Sequence, residues 1–368
     1  MTSDIAAYTA NAMPKWNPMN ICSYHLQEAG ATPEQELAYA LATAIAVLDD
    51  LRPKALAQDF PAMVGRISFF VNAGIRFITE LCKIRAFAEM WDNLCHDRYN
   101  VTDAQHRRFR YGVQVNSLGL TEQQPENNMA RILMEMLAVT LSKTARARAV
   151  QLAAWNEALG LPRPWDQQWS PRLQQILAYE TNQLKYPNLF DGNPAIAAKV
   201  DALKTAALEE LHQINAMGSA VAAIPHMKSR LAEANSARLN RIETGAQVVV
   251  GVNRYIEAEP SPLTNGIATM AADPLLRPTR SPAFTTGALP ATVWPSTAPL
   301  QPCVKPPFTA KTTCPPFITA AKAGATTGEW GAAIRSAFGE YRALTGVSPA
   351  PCNRTEGLDP IRTAFGAV

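Results

Sequence analysis

Along the first 260 residues the apolar positions keep two periods in turn. Short runs rich in Val, Ile, Phe and Tyr are followed by longer stretches that are apolar at helical spacing. Asn20–Tyr24 reads as a short strand, and the run Glu36–Leu51 carries a helical apolar stripe. Thr32 is the expected N-cap of that helix, with Pro33 at its first position and Glu34 and Glu36 in its first turn. A second strand, Arg66–Val71, precedes a helix over Ala73–Cys95. A third, Tyr111–Asn116, precedes a helix over Glu126–Ser142, and a fourth is expected at Ala149–Leu152. Strands alternating with helices of this length predict parallel βα units of an α/β fold. After Pro162 the pattern is helical only, over Pro171–Gln183, Ala195–Met217 and Pro225–Glu243, until a short apolar strand expected at Gln247–Val252.

The pattern then fails. Residues 264–318 hold only five charged side chains in 55 positions, and thirteen of the 28 prolines lie between Pro260 and Pro316. No period of 2 or 3.6 survives there, so 263–317 is expected to be an irregular Pro/Thr-rich linker. A helical pattern returns over 318–347, and 348–368 is again irregular. Four βα units are half of the eight that a closed barrel needs. An open parallel sheet is the alternative, yet neither GxGxxG nor a P-loop occurs.

Composition narrows the function classes. The chain is 368 residues long and 47% hydrophobic, with 34 basic and 31 acidic side chains and a net charge of +3. That balance supplies no field directed at nucleic acid or anionic lipid, and no apolar stretch approaches the ~20 residues of a membrane span. The run Arg107–Arg110 is too short and too isolated for nucleic-acid binding. The basic stretch Lys143–Arg148 either receives phosphates or solvates a loop. The six cysteines form no CxxC and read as reduced cytoplasmic thiols rather than disulfides or a metal site.

Polar residues gather where strands hand over to helices, the end at which barrel enzymes build their sites. His25 reads either as an acid or hydrogen-bond donor to a carbonyl, or as a buried histidine satisfied by backbone. Gln114 points to a ligand contact or to a satisfied core amide. Arg66 suits a phosphate or carboxylate, or an internal ion pair. Glu157 positions a ligand or caps the next helix. Gln27, Glu28, Ser68, Asn72, Asn116 and Asn156 share these strand ends. His96, His106, His212 and His226 read as surface histidines.

Several stretches carry a resemblance: PKWNP (14–18), SYHLQEAGA (23–31), RISFF (66–70), RYGVQVNSLGLTEQQPENN (110–128) and WNEALGLPRPWDQQW (155–169). Over about residues 4–262 the chain resembles the coenzyme B12-dependent acyl-CoA mutases, the methylmalonyl-CoA mutase family, and within it the ethylmalonyl-CoA branch. TTGEW and FGEYR within 318–347 resemble the segment that joins the barrel to the cobalamin domain. The resemblance implies a (β/α)8 TIM barrel of which residues 1–262 are the C-terminal half with its following helices. It implies adenosylcobalamin as cofactor, acyl-CoA as substrate, a radical rearrangement of the carbon skeleton, and a cytoplasmic homo- or hetero-oligomer that uses neither membrane nor nucleic acid.

By motif position, His25 resembles the histidine that hydrogen-bonds the substrate carbonyl. Arg66, Ser68 and Phe70 match the CoA-contacting strand, Gln114 a substrate- or cofactor-side glutamine, and Glu157 a cofactor-side glutamate. Gly112 stands where methylmalonyl-CoA mutases carry histidine, which implies room for an ethyl substituent. Two departures are local: Ala153 stands where the family pattern expects proline, and Pro171 is tolerable only in a first helical turn. The larger departures are the first half of the barrel and the Asp-x-His-x-x-Gly loop that supplies the cobalt ligand, a motif that does not occur here. The expectation is a mutase fragment inactive alone. The alternatives are one chain of a split mutase and a non-catalytic assembly partner of an intact one. A damaged reading frame would account for the proline-rich segment.

Overall fold

A computed structural model describes residues 2–141, 143–144, 147–186, 188–263, 314–322 and 325–340. Among them, four parallel strands stand in sequential order: β1 (Asn20–Cys22), β2 (Ser68–Ala73), β3 (Tyr111–Val115) and β4 (Ala149–Gln151). Ile21 lies beside Phe69, Phe70 beside Gly112, and Gln114 beside Gln151. The connections carry α2 (Tyr24–Glu28), α3 (Pro33–Leu51), α4 (Phe60–Val64), α5 (Phe77–Asn93) and α6 (Asn127–Leu137), with α1 (Thr2–Ala12) ahead of β1. After β4 come α7 (Pro164–Tyr179), α8 (Pro194–Ala216) and α9 (Ile224–Glu243), then α10 (Cys314–Lys322) and α11 (Thr327–Phe338). This α/β arrangement of parallel units is consistent with a partial barrel.

Local sequence explains the best-defined helix. The Thr32 side chain accepts from the Gln35 N–H, and the Gln35 side chain accepts from the Thr32 N–H at 3.0 Å, so two otherwise orphaned donors are met reciprocally. Proline at the first position costs no hydrogen bond there. The helix then buries Leu37, Leu41, Ala44 and Leu48 against β1, β2 and α8. On the sheet, Phe69, Val71, Tyr111 and Val113 face these helices and are at most 3% exposed. Phe69 packs against Phe87, Trp91 and Phe109 with ring centroids 4.8–5.8 Å apart. Ile196, Val200, Ala207 and Ile214 of α8 close the layer.

Gly30, at φ +108°, turns the chain from α2 into α3. A β-carbon there would lie 2.4 Å from Asn235 Cβ of α9, so the turn needs glycine both for its conformation and for the approach of that helix.

Three expectations change. Gln247–Val252 is not a strand: Val250 pairs only with Arg254 in an isolated bridge. The Asn253 amide donates to the Ile242 and Gln247 carbonyls and accepts from the Val249 N–H, which gathers this segment into a turn. Pro171 lies well inside α7 rather than in its first turn, because Asp166 accepts the Arg163 N–H and guanidinium and starts that helix at Pro164. The proline therefore removes one interior hydrogen bond. The returning helical pattern starts at Cys314, ahead of 318, and Thr326 caps α11 with a reciprocal Glu329 contact. The expected linker over 264–313 and the tail over 348–368 lie outside the described residues.

Candidate functional site

The face of the sheet opposite the helices carries Ser68 and Phe70 of β2, and Gly112 and Gln114 of β3. All four are half-buried, while Asn20, Cys22, Ala149 and Gln151 on the outer strands are exposed. This inner face has two unpaired edges, β1 and β4, among the described residues. Its side chains are small or polar except Phe70, so it is not built as a packed core.

At the N-terminal end of the strands a cavity of about 340 Å³ is lined by Lys15, Asn17, Arg66, Ser68, Arg110, Gly112 and Arg148. Asn17 donates to the Ser68 hydroxyl at 2.5 Å and ties the segment before β1 to β2. None of the four cations has a carboxylate at ion-pair distance among the described residues. Burial, with Arg148 and Arg66 nearby, holds the Arg110 guanidinium below the usual arginine range. The four cations concentrate positive charge at this cavity. Arg66, Ser68 and Gly112 were singled out from the sequence. Arg148 belongs to the basic stretch left between phosphates and solvent, Arg110 to the run set aside as too short and isolated for nucleic acid, and Lys15 was missed. The shared signal is that each precedes a strand by a few residues or fewer.

At the other end, Ser23 opens α2 directly after β1, and His25 stands exposed on that short helix. The reading of His25 as a buried, backbone-satisfied histidine therefore falls. Its ring lies 3.8 Å from the Tyr24 ring, which meets Phe70 edge-on at 5.3 Å. His25, Tyr24, Phe70 and Gly112 thus form a continuous track from α2 onto the inner face. Gln114 is one step further along β3, and its amide has no side-chain hydrogen bond among the described residues. Glu28 accepts from the Ser117 hydroxyl at 3.0 Å across the rim between β1 and β3. Burial pushes the Glu157 carboxyl up, the Ala154 N–H pulls it down, and Glu28 adds to the rise. Glu157 does not cap α7, whose cap is formed by Arg163 and Asp166.

Beneath this rim lies a buried charge cluster that the sequence did not reveal. The Lys83 ammonium reaches Glu36 Oε2 at 2.6 Å, Glu80 Oε2 at 2.5 Å and the Asn72 carbonyl at 2.8 Å. Burial pushes Lys83 down, but Glu36 and Glu80 outweigh it and hold the ammonium above its ordinary value. Burial raises Glu36 despite Lys83. Glu135 of α6 is wholly buried and neither carboxyl oxygen has a hydrogen-bond partner among the described residues. Burial, reinforced by Glu80, pushes it up to about 9, so it is a neutral acid at pH 7. Of these residues the sequence singled out only Glu36, as a first-turn acid of α3, because nothing local in the chain signals that tertiary packing buries them together. Among the remaining candidates, Asn72, Asn116 and Asn156 are buried. His226 is partly buried beside Glu210, 3.6 Å away, and is not a plain surface residue.

No helix among the described residues is long and apolar enough to cross a membrane. The chain is 65% identical to ethylmalonyl-CoA mutase of Cereibacter sphaeroides, an alignment covering 100% of this chain and 57% of the relative. It is 56% identical to ethylmalonyl-CoA mutase of Methylorubrum extorquens, over 95% of this chain and 51% of that protein. It is 32% identical to human mitochondrial methylmalonyl-CoA mutase, over 69% of this chain and 33% of that protein. The chain therefore spans about half the length of the curated relatives it matches. The family profile described as methylmalonyl-CoA mutase covers residues 1–340, and the chain belongs to the methylmalonyl-CoA mutase family.

Proposed function

We propose that this chain supplies one wall of the substrate site of an adenosylcobalamin-dependent mutase that rearranges the carbon skeleton of a branched dicarboxylic acyl-CoA of the ethylmalonyl type. The observation that carries the reading is the polar inner face with four cations that have no carboxylate partner among the described residues, Lys15, Arg66, Arg110 and Arg148, at one end and His25 at the other. The phosphates of coenzyme A take the cationic end, where guanidinium groups bind them through charge-assisted bonds. Ser68 and Gly112 leave a low path along the strands for the thioester arm. His25 donates to the thioester carbonyl and steadies charge that develops on its oxygen. Gly112 leaves space beside Phe70 for the larger alkyl substituent.

The rim fits a nucleoside cofactor in one respect: Glu157 is exposed and Glu28 stands nearby, and carboxylates accept from ribose hydroxyls. Glu157 and Gln114 are the residues that would face adenosylcobalamin. Bound there, the cofactor supplies the radical that removes a substrate hydrogen. The chain's own residues bind, orient and donate hydrogen bonds. The sheet is open on its inner side, so the chain alone is inactive in this reading; turnover by the purified chain with adenosylcobalamin would overturn that part.

Calorimetric titration of coenzyme A into the purified chain tests the reading. Binding that weakens about tenfold in Arg66→Ala and falls with added salt is expected. A wild-type chain that ignores coenzyme A, or an Arg66→Ala variant that binds equally well, overturns it. The unpaired edges β1 and β4 favour a second reading, in which the chain is one half of a split mutase. Stoichiometric co-purification with a chain carrying the complementary strands is then expected, whereas co-purification with an intact mutase would instead indicate an assembly partner.

A further inference from the structure

We propose that the buried Glu36–Lys83–Glu80 cluster is a positioning device for α2, the short helix that presents His25. The inference rests on the reading of His25 as the carbonyl donor, but it concerns residues on α3 and α5 that face neither the cationic end nor the inner face.

α2 spans only Tyr24–Glu28, and its N-cap residue Ser23 makes no capping bond to it. Five residues make little more than one turn, which does not hold itself together in water. Its placement must come from outside. Three side-chain bonds supply it. The Ser23 hydroxyl donates to Glu36 Oε1 at 2.9 Å, the Gln27 amide donates to Glu80 Oε1 at 3.0 Å, and Glu28 takes the Ser117 hydroxyl. The first two end on the two carboxylates that Lys83 holds together. Glu36 Oε1 also accepts the Asn72 N–H at 3.1 Å, so the same group fixes the end of β2.

The ammonium donates to Glu36 and to the Asn72 carbonyl and forms an ion pair with Glu80. Each carboxylate then has one oxygen on Lys83 and one left for α2. That division is the device: the cation sets where the two carboxylates stand, and they set both ends of the helix. A cluster that served folding alone would have no need to direct its spare oxygens at one short helix. The crowding extends to Gly74, where a β-carbon would lie 3.5 Å from Glu80 Oε1 and 3.6 Å from the Gln27 amide nitrogen.

The test compares Glu80→Leu with Glu80→Gln in the whole chain. Both leave Lys83 balanced by Glu36, so neither strands a buried charge. Only Gln keeps an acceptor for Gln27. Two measurements are made: amide hydrogen exchange of residues 24–28 relative to α5 and α8, and the His25 ring resonances, shifted by the Tyr24 ring. In Glu80→Leu, exchange of α2 is expected to rise about tenfold over that of α5, with loss of the His25 ring-current shift. Glu80→Gln is expected to retain both. If α2 and α5 change in step in Glu80→Leu, or if the two variants behave alike, the cluster is structural only and the proposal falls. Coenzyme A affinity is measured in parallel. Failure of wild type to bind it would remove the functional reading yet leave the α2 result standing.

Discussion

The two faces of one sheet are built to different rules. On the helix side Phe69, Val71, Tyr111 and Val113 are sealed beneath α3, α5 and α8. On the other side their immediate neighbours in sequence, Ser68, Phe70, Gly112 and Gln114, stay half open. Successive strand residues alternate sides, so the contrast is drawn within six residues of β2 and five of β3. The charged groups repeat it. Lys83, behind the sheet, is met by two carboxylates and a carbonyl. Among the described residues Arg66, Arg110 and Arg148, on the inner side, have no carboxylate at ion-pair distance, and burial with Arg148 and Arg66 nearby lowers Arg110. One side is complete in itself. The other leaves Phe70 half open and its cations without carboxylate partners among the described residues.

The sharpest way to break this comparison is to truncate adjacent phenylalanines. Phe69→Ala removes a ring that touches three other aromatic rings and is expected to cost about 3–5 kcal/mol of unfolding free energy. Phe70→Ala removes a half-exposed ring and is expected to cost under about 1.5 kcal/mol. Chemical denaturation of both variants decides. Similar losses would mean that the inner face is a core after all.

Next in size is the pH dependence carried by Glu135. Its folded value of about 9 lies above the ordinary 4.5, so the folded state holds a proton that the unfolded state releases. The folded state binds more protons through that window, and stability therefore falls as pH rises from about 4.5 toward 9. Glu135→Gln keeps the shape of the neutral acid and is expected to flatten the fall, by a few kcal/mol at the alkaline end. Denaturation of both chains at pH 5, 7 and 9 measures the difference. Parallel curves would place the ionised carboxylate in the fold.

The sealed side was far more legible in the sequence than the open one. Alternation and capping marked β2, β3 and the start of α3 to within a few residues, because each rests on local chemistry: Thr32–Pro33 for the cap, and Val, Phe and Tyr at period two for the strands. The short helices α2 and α4 went unseen, since their stability comes from partners distant in the chain. Gln247–Val252 looked like a strand because valines fit one, but among the described residues no neighbouring strand receives it. The candidate site divided the same way. Ser68 and Gly112 lie on strands and could be placed by register, and Arg66 stands two residues before β2. Arg110 and Arg148 acquire meaning only when β3 and β4 bring them to one cavity. Glu36, Glu80, Lys83 and Glu135 look like any charged helix positions until tertiary packing buries them.

A smaller effect separates the two sets of cations. Arg66→Ala removes a charge that repels Arg110, so stability is expected to stay level or rise by up to about 0.5 kcal/mol while coenzyme A affinity drops. Lys83→Met, in contrast, is expected to destabilise by about 3–5 kcal/mol because it strands Glu36 and Glu80. A loss of stability in Arg66→Ala comparable to that of Lys83→Met would show that the cationic end is part of the scaffold.

The smallest expected effect is at Gly112, where the two rules meet. Its backbone is not in the left-handed region, so alanine is allowed there and would reduce the freedom of the unfolded chain, which favours folding by about 0.4–1 kcal/mol. Against this, the new β-carbon would stand 3.0 Å from Phe70 Cδ2 and 3.2 Å from Cε2. The ring must yield by a few tenths of an ångström. Phe70 is half open and contacts Tyr24 edge-on, so it has room to do so. Gly112→Ala is therefore expected to change stability by less than about 1 kcal/mol in either direction. Pairing it with Phe70→Leu isolates the cause, since a shorter side chain removes the contact and the double variant should recover whatever Gly112→Ala loses. A single-variant loss above about 2 kcal/mol, unrelieved in the double, would mean that β3 has no free space at Gly112 and that the inner face is as tightly fitted there as the sealed one.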